Sequence, residues 1–282
     1  MAHLTGSSYA KIALAVLIAL LLFCVAGFGS CAGWDVRFGK GQNEMIGNAS
    51  VSTQGIRNIE IDWAAGGVDV IVSEGNEIEL SEYSSSSLSK AQSMRWTVSG
   101  DTLKVDYGSW FSCLSLASKS LQVQVPKALA ADLGLLDIDG ASGTYSVNGI
   151  VCERLKVHLA SGEFRGAEIT AKQLDTDVAS GIFNAEGSFS ESIRVHAASG
   201  NALITSSDVC PRTIDADMAS GNVVIGIPEN DGFTAHVNKA SGTFQSDFET
   251  SMQGEGVYIH KAGNARFDVD IASGSFVLRK LA

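Results

Sequence analysis

Histidine and aspartate recur along this chain at a spacing that could hold a metal ion. His158, Asp177, His196 and Asp217 follow one another at steps of 19, 19 and 21 residues, and imidazole nitrogens and carboxylate oxygens are common ligands of divalent ions. A second grouping, Asp175, Asp177, Arg194, Asp215 and Asp217, supplies the carboxylates and guanidinium that acid–base cleavage of a polysaccharide would need. Both sets occupy repeating positions. A catalytic centre instead breaks a repeat's symmetry with groups that converge in a cleft, so register alone accounts for these residues. The sequence therefore assigns no catalytic residue, no cofactor and no metal ligand. It also contains no phosphate-binding glycine loop, nucleophile elbow, HExxH pair or EF-hand loop.

The repeat that places these residues is a tripeptide. Ala-Ser-Gly stands at 141–143, 160–162, 179–181, 198–200, 219–221, 240–242 and 272–274, at steps of 19, 19, 19, 21, 21 and 32 residues. A period near twenty is the signature of stacked units. Ala64-Ala65-Gly66 is a degenerate copy at the start. Glycine accepts a positive φ and lets a strand change direction without a Cβ clash. Gly66, Gly143, Gly162, Gly181, Gly200, Gly221, Gly242 and Gly274 are therefore the expected corners, and small Ala and Ser beside them let corners stack.

Alignment on the alanine gives columns. Five residues before it stand Leu136, Leu155, Leu174, Ile193, Ile214, Ala235 and Phe267, and two after the serine's successor positions return to Tyr145, Phe164, Phe183, Ala202, Val223, Phe244 and Phe276. These are inward positions of period-2 strands. Four before the alanine stand Asp137, Lys156, Asp175, Arg194, Asp215, His236 and Asp268, and two before it Asp139, His158, Asp177, His196, Asp217, Asn238 and Asp270. Acid alternates with base or amide along the chain. In a parallel stack, with neighbours roughly 4.8 Å apart, identical carboxylates would repel by about 1 kcal/mol per contact even in water. At the ~10 Å spacing of a meander, screening leaves little reason to alternate. The pattern predicts an all-β, single-stranded parallel β-solenoid, or β-helix, of about eight coils, with each Asp between two bases.

The ends depart from the repeat. Residues 1–11 are a polar segment, and 12–28 are an uncharged apolar run, long enough for a minimal transmembrane anchor or a signal. Residues 29–54 are expected as a flexible linker and 55–282 as the solenoid, with 55–126 an N-terminal β cap and 127–282 the regular coils. Phe28-Gly29-Ser30-Cys31 resembles a lipobox, which gives lipidation at Cys31 as the alternative anchor. A net charge of −11 excludes nucleic acid as a partner, because no basic patch exists to displace counterions from phosphate. It favours a single-pass cell-membrane protein with its C-terminal domain outside the cytoplasm. Five scattered cysteines, with no CxxC, form no evident disulfide or zinc framework. The long last step implies a protruding hairpin or loop near 249–264, the place where the period fails and a site is most expected.

The apolar–x–apolar–x–apolar–Ala-Ser-Gly unit, the entry Ile59-Glu60-Ile61-Asp62-Trp63-Ala64-Ala65-Gly66 and the glycine-rich stretch before the last coil resemble the adhesin-like DUF4097 family over roughly residues 55–282. That resemblance implies a β-solenoid behind a membrane anchor in a bacterial cell-envelope protein, in some cases linked to envelope stress, and it carries no catalytic residues. The expected role is a non-enzymatic interaction or scaffold module for a protein or glycan partner. The alternative is a β-helix carbohydrate-active enzyme using the clustered Asp and Arg.

Overall fold

The computed structural model describes residues 45–108 and 119–282. The apolar run 12–28 and Cys31 lie outside the described residues, and no helix among those described is long and apolar enough to cross a membrane. The first strands are β1 (Met45–Ile46), β2 (Ala49–Ser52), β3 (Asn58–Ser73), β4 (Glu77–Ser84), β5 (Arg95–Ser99), β6 (Thr102–Asp106) and β7 (Lys119–Pro126). One helical turn, α1 (Lys127–Ala130), leads into β8 (Leu133–Asn148) and the long β9 (Val151–Ala197), which winds through successive coils. The remainder is β10 (Asn201–Ser206), β11 (Thr213–Met218), β12 (Asn222–Ile227), β13 (Gly232–Lys239), β14 (Thr243–Ser246), β15 (Ser251–Met252), β16 (Val257–Lys261), β17 (Ala265–Ile271) and β18 (Ser275–Lys280).

Equivalent strands of successive coils pair parallel and in the register of the columns. Leu136 meets Leu155, Asp137 meets Lys156 and Asp139 meets His158, and Ile193 meets Ile214 one coil further on. The inward columns form the core. Ile59, Leu136, Leu155, Leu174, Ile193, Ile214, Phe267 and Ala235 are all buried, and each large aliphatic side chain so enclosed contributes about 1.5–3 kcal/mol. Stacked coils also place like side chains on one another, as with the nearly parallel, stacked rings of Phe164 and Phe183, whose centroids are 4.8 Å apart. Thr176, the polar exception in its column, is fully buried and donates its hydroxyl to the Val157 carbonyl at 3.1 Å.

Corners are glycine for two different reasons. At Gly162 φ is +131°, and a Cβ would lie 2.4 Å from the carbonyl oxygen of Gly143 in the coil below. Gly66, Gly143, Gly181, Gly221 and Gly274 repeat that arrangement. Gly200 and Gly242 do not: their φ is outside the left-handed region, and a Cβ would instead strike the side chains of Val178 and Ile271 at 2.4 and 2.2 Å. These two are tight-packing positions rather than conformational corners.

Three expectations are corrected. Within the stretch expected as a linker, 29–54, residues 45–46 and 49–52 are strands, β1 paired with β5 and β2 with β4. The sheet is mixed rather than wholly parallel: β4 runs antiparallel to β7, β5 to β6, β13 to β16 and β15 to β16. These antiparallel segments lie at the two ends of the stack, where an open parallel edge would otherwise template pairing with another chain. The 249–264 stretch holds the antiparallel hairpin of β15 and β16; β16 pairs with β13 at the end of the stack, and its His260 is buried.

The third correction concerns coil order. The last coil does not follow the one before it. Strand β17 inserts between β11 and β13, parallel to both, and β18 lies between β12 and β14. The penultimate coil is thereby displaced to the end of the stack, where β16 covers it. Aromatic packing accompanies the insertion, with Phe233 stacked on Phe267 at 4.7 Å and Phe244 on Phe276 at 5.9 Å.

Candidate functional site

The face before the corners carries the two outward charge columns, and for the coils that follow in sequence their residues meet in pairs. Lys156 reaches Asp137 at 3.6 Å, and Arg194 bridges Asp175 at 3.2 Å and Asp215 at 3.6 Å. In the second column His158 Nδ1 lies 2.8 Å from Asp139 and its Nε2 3.4 Å from Asp177. His196 Nδ1 lies 2.7 Å from Asp177 and its Nε2 3.4 Å from Asp217. Asp139, His158, Asp177, His196 and Asp217 thus form one continuous line across the coils, with each imidazole spanning two carboxylates.

That line decides the chemistry. An imidazole facing carboxylates from both nitrogens uses both as donors, so its protonated form is favoured. The hydrogen bond that His158 donates to Asp139 is the main cause raising its pKa, and the one that His196 donates to Asp177 does the same there, each against the opposing effect of burial. Burial pushes Asp177 up, but the hydrogen bond and charge of His196, with His158 and Arg194, bring it below the usual carboxylate value. The four residues considered as metal ligands therefore lie along a line of pairs and not around a point. Among the described residues Asp137, Asp139 and His158 offer donor atoms within 4.8 Å of one another, and His158 Nδ1 is already engaged by Asp139. The grouping of Asp175, Asp177, Arg194, Asp215 and Asp217 is likewise spread over an open strand face, with both Arg194 contacts and both His196 contacts made within it.

A pH dependence follows. A histidine whose folded pKa is raised contributes fully below its unfolded value of 6.5 and loses that contribution as pH climbs through the folded value. Asp62 acts in the same direction over a lower range, because its carboxyl is pushed up to about 7 by burial and by Asp106 and Asp139. The unfolded chain releases this proton first, so the contribution is lost between pH 3.8 and about 7, and above that the histidines carry the trend. Stability should fall as pH rises from 6 to 9. Exposed pairs contribute about 0–1 kcal/mol each, so the expected drop in melting temperature is a few degrees. Thermal melts of the double variant His158→Gln/His196→Gln should show a flatter profile. An unchanged profile would mean the ladder does not titrate as a unit.

Acids meet acids at both ends of this face, contrary to the expected alternation. Glu60 neighbours Asp137 and Asp62 neighbours Asp139, with Asp106 on the other side of Asp62. The inserted coil sets Asp215 beside Asp268 and Asp217 beside Asp270. Partial compensation comes from Lys104 on Glu60 at 2.5 Å, Arg266 on Asp268 at 2.6 Å and the Asn238 amide on Asp270 at 2.8 Å. Chain order had suggested His236 and Asn238 as the partners of Asp215 and Asp217. The insertion removes them by one strand.

Sequence reasoning missed a buried cation. The Lys119 Nζ donates to Glu82 at 2.5 Å, to the Gln92 carbonyl at 2.6 Å and to the Tyr107 carbonyl. It sits 4.1 Å from the Tyr107 ring centre and 5.0 Å from that of Trp63. Glu82 in turn accepts from the Met94 amide at 2.9 and 3.0 Å. The signal was present: period-2 alternation through Leu121, Val123 and Val125 places Lys119 on the inward face.

The arrangement defines a class of protein, an all-β stack of coils whose exposed charges are paired from coil to coil. The chain belongs to the Toastrack DUF4097 family, whose model matches residues 56–279. Among solved structures it is similar to a "putative cell adhesion protein" from Clostridium sporogenes, at 13% identity and a TM-score of 0.42, covering 85% of this chain and 100% of that one. It is similar also to a "putative adhesin" from Bacteroides fragilis, at 10% identity and a TM-score of 0.46, covering 85% and 98%. A "putative lipid binding protein" from Parabacteroides distasonis is similar at 13% identity and a TM-score of 0.42, covering 86% and 98%. No curated protein matches the chain.

Proposed function

We propose that this protein is a non-enzymatic interaction module of the cell envelope, held at the membrane through residues 12–28 and presenting its solenoid to a protein or glycan partner. The observation that carries this reading is the lateral pairing of the charged face. Its carboxylates and bases engage one another across coils instead of converging on a point where a bond could be broken. The face after the corners supports the same role, since Ile182 and Leu203 stand exposed among Asn184, Asn201 and Asn222 on paired strands. A flat surface mixing apolar and amide groups suits recognition.

Membrane fractionation of cells producing the full chain tests the reading, with protease added to intact cells or spheroplasts and mass spectrometry of the mature N-terminus. The full chain should sediment with membranes, and residues 55–282 should be cleaved from outside. An N-terminus at Cys31 carrying a lipid would replace the helix by a lipid anchor in the same compartment. A soluble, protease-protected chain would overturn the proposal, as would release of reducing ends from envelope polysaccharide by the purified protein.

A further inference from the structure

At one edge of the charged face the first coils leave an open cleft of about 440 Å3. Gly134 lines it, and a Cβ there would lie only 2.7 Å from Asn58 Oδ1, so a larger residue would have to displace that amide. Arg57, Arg154 and Lys172 reach it from separate coils and face two carboxylates, Glu153 and Glu191. A surplus of cations is notable in a chain of net charge −11.

The polar groups are held in place while retaining bonding capacity. Arg154 Nε donates to Gln173 at 2.8 Å, and Lys172 is steadied by Glu153 at 3.0 Å. The backbone of Arg57 is held by Asp101 and Gly134, each at 2.8 Å, and its guanidinium lies close enough to Glu153 to act on it electrostatically. Asn58 gives its amide to Thr102 at 3.2 Å, which leaves Oδ1 as an acceptor beside Gly134. Half-buried Leu135 adds an apolar patch between these donors.

The geometry points to a binding cleft for a linear saccharide bearing carboxylate or phosphate groups. Guanidinium and ammonium groups recognise the oxyanion, while Asn58 Oδ1, Gln173 and the two glutamates are suited to hydroxyls. The lining contains no aromatic ring, so stacking on a neutral sugar is not what the cleft offers. Asn58 pairs with Leu135 and Leu135 with Arg154, so the groups rise along the stack by one strand spacing, roughly 4.8 Å, which is close to the repeat of a sugar unit. This inference rests on the proposed role as an interaction module and names the class of partner.

Isothermal titration of the full chain in detergent is the test, with oligogalacturonate, a glycerol-phosphate oligomer and a neutral cello-oligosaccharide as probes. One or both acidic oligomers should bind, more weakly as salt is raised, and the neutral one should not. Which acidic oligomer binds identifies the source of the oxyanion. Arg57→Ala and Arg154→Ala should each weaken binding about tenfold, equivalent to about 1.4 kcal/mol, whereas Arg165→Gln on the other face should leave it unchanged. Gly134→Ser should abolish binding while the melting temperature reports whether the fold survives. If Gly134→Ser does not fold, the two arginine variants decide. Absence of binding to both acidic oligomers, equal binding of the neutral one, or indifference to Arg57 and Arg154 would each overturn the cleft assignment. None of these results alters the membrane and protease readouts, so the two proposals fail separately.

Discussion

Replacing Lys119 with alanine should cost about 3–5 kcal/mol, the usual range for breaking a buried ion pair from one side. The ammonium is enclosed by Glu82, two backbone carbonyls and the rings of Trp63 and Tyr107. Its removal strands the Glu82 carboxylate, whose side chain is 6% exposed, and empties the space beneath both rings. The loss concentrates in the N-terminal cap because Lys119 ties β7, β4 and the 89–94 turn together. Lys119→Met keeps most of the volume and should cost less than alanine. Glu82→Gln combined with Lys119→Met should recover part of the loss, since no charge then remains buried without a partner. Urea unfolding of the three variants gives the comparison. A cost below about 1 kcal/mol for alanine would mean the pair adds nothing over a hydrophobic contact.

Gly143→Val should be still more disruptive. Its φ of +143° lies where a β-branched residue is strained, at a cost of about 1–3 kcal/mol. A Cβ would also lie 2.0 Å from the Gly66 carbonyl oxygen. That oxygen cannot withdraw, because Gly66 and Gly162 hold the corners on either side. Out of the roughly 5–15 kcal/mol that keeps a domain folded, the combined penalty leaves little. Gly200→Ala is the informative contrast. Its φ is ordinary and its obstacle is the Val178 side chain, so a cost of about 1–3 kcal/mol from overpacking is expected. Equal unfolding midpoints for the two variants would sink the distinction between conformational corners and packing positions.

The difference between Gly143 and Gly200 marks one limit of legibility. Both stand at the same place in the same tripeptide, and no neighbouring residue separates them. The φ of each corner is set by how its coil meets the next, which is a property of the stack. The Asp139–His158–Asp177–His196–Asp217 line was legible because its coils follow one another at 19 to 21 residues, so nearness in sequence equals nearness in space. The acidic contacts of Asp215 with Asp268 and Asp217 with Asp270 were not legible, because chain order offered His236 and Asn238 in those places. The cleft below Arg57 was hidden for a related reason. It joins residue 57 to residues 134–191, and 134–135 take the next place in the stack only because β4 to β7 are set aside as a cap.

By itself, the sequence determined the repeat, the inward columns, the places where the coils turn and the parallel register of the central coils. Each of these follows from side-chain period and from contacts between adjacent repeats, which local composition encodes. Tertiary structure alone decided the two ends. A stack of parallel strands must cover its exposed backbone edges, and the chain does so with antiparallel segments, a buried Lys119–Glu82 pair and a final coil inserted one place inward. Those solutions join residues distant in sequence. They are fixed by which edge is left open once the central coils have formed, and no spacing in the chain records that.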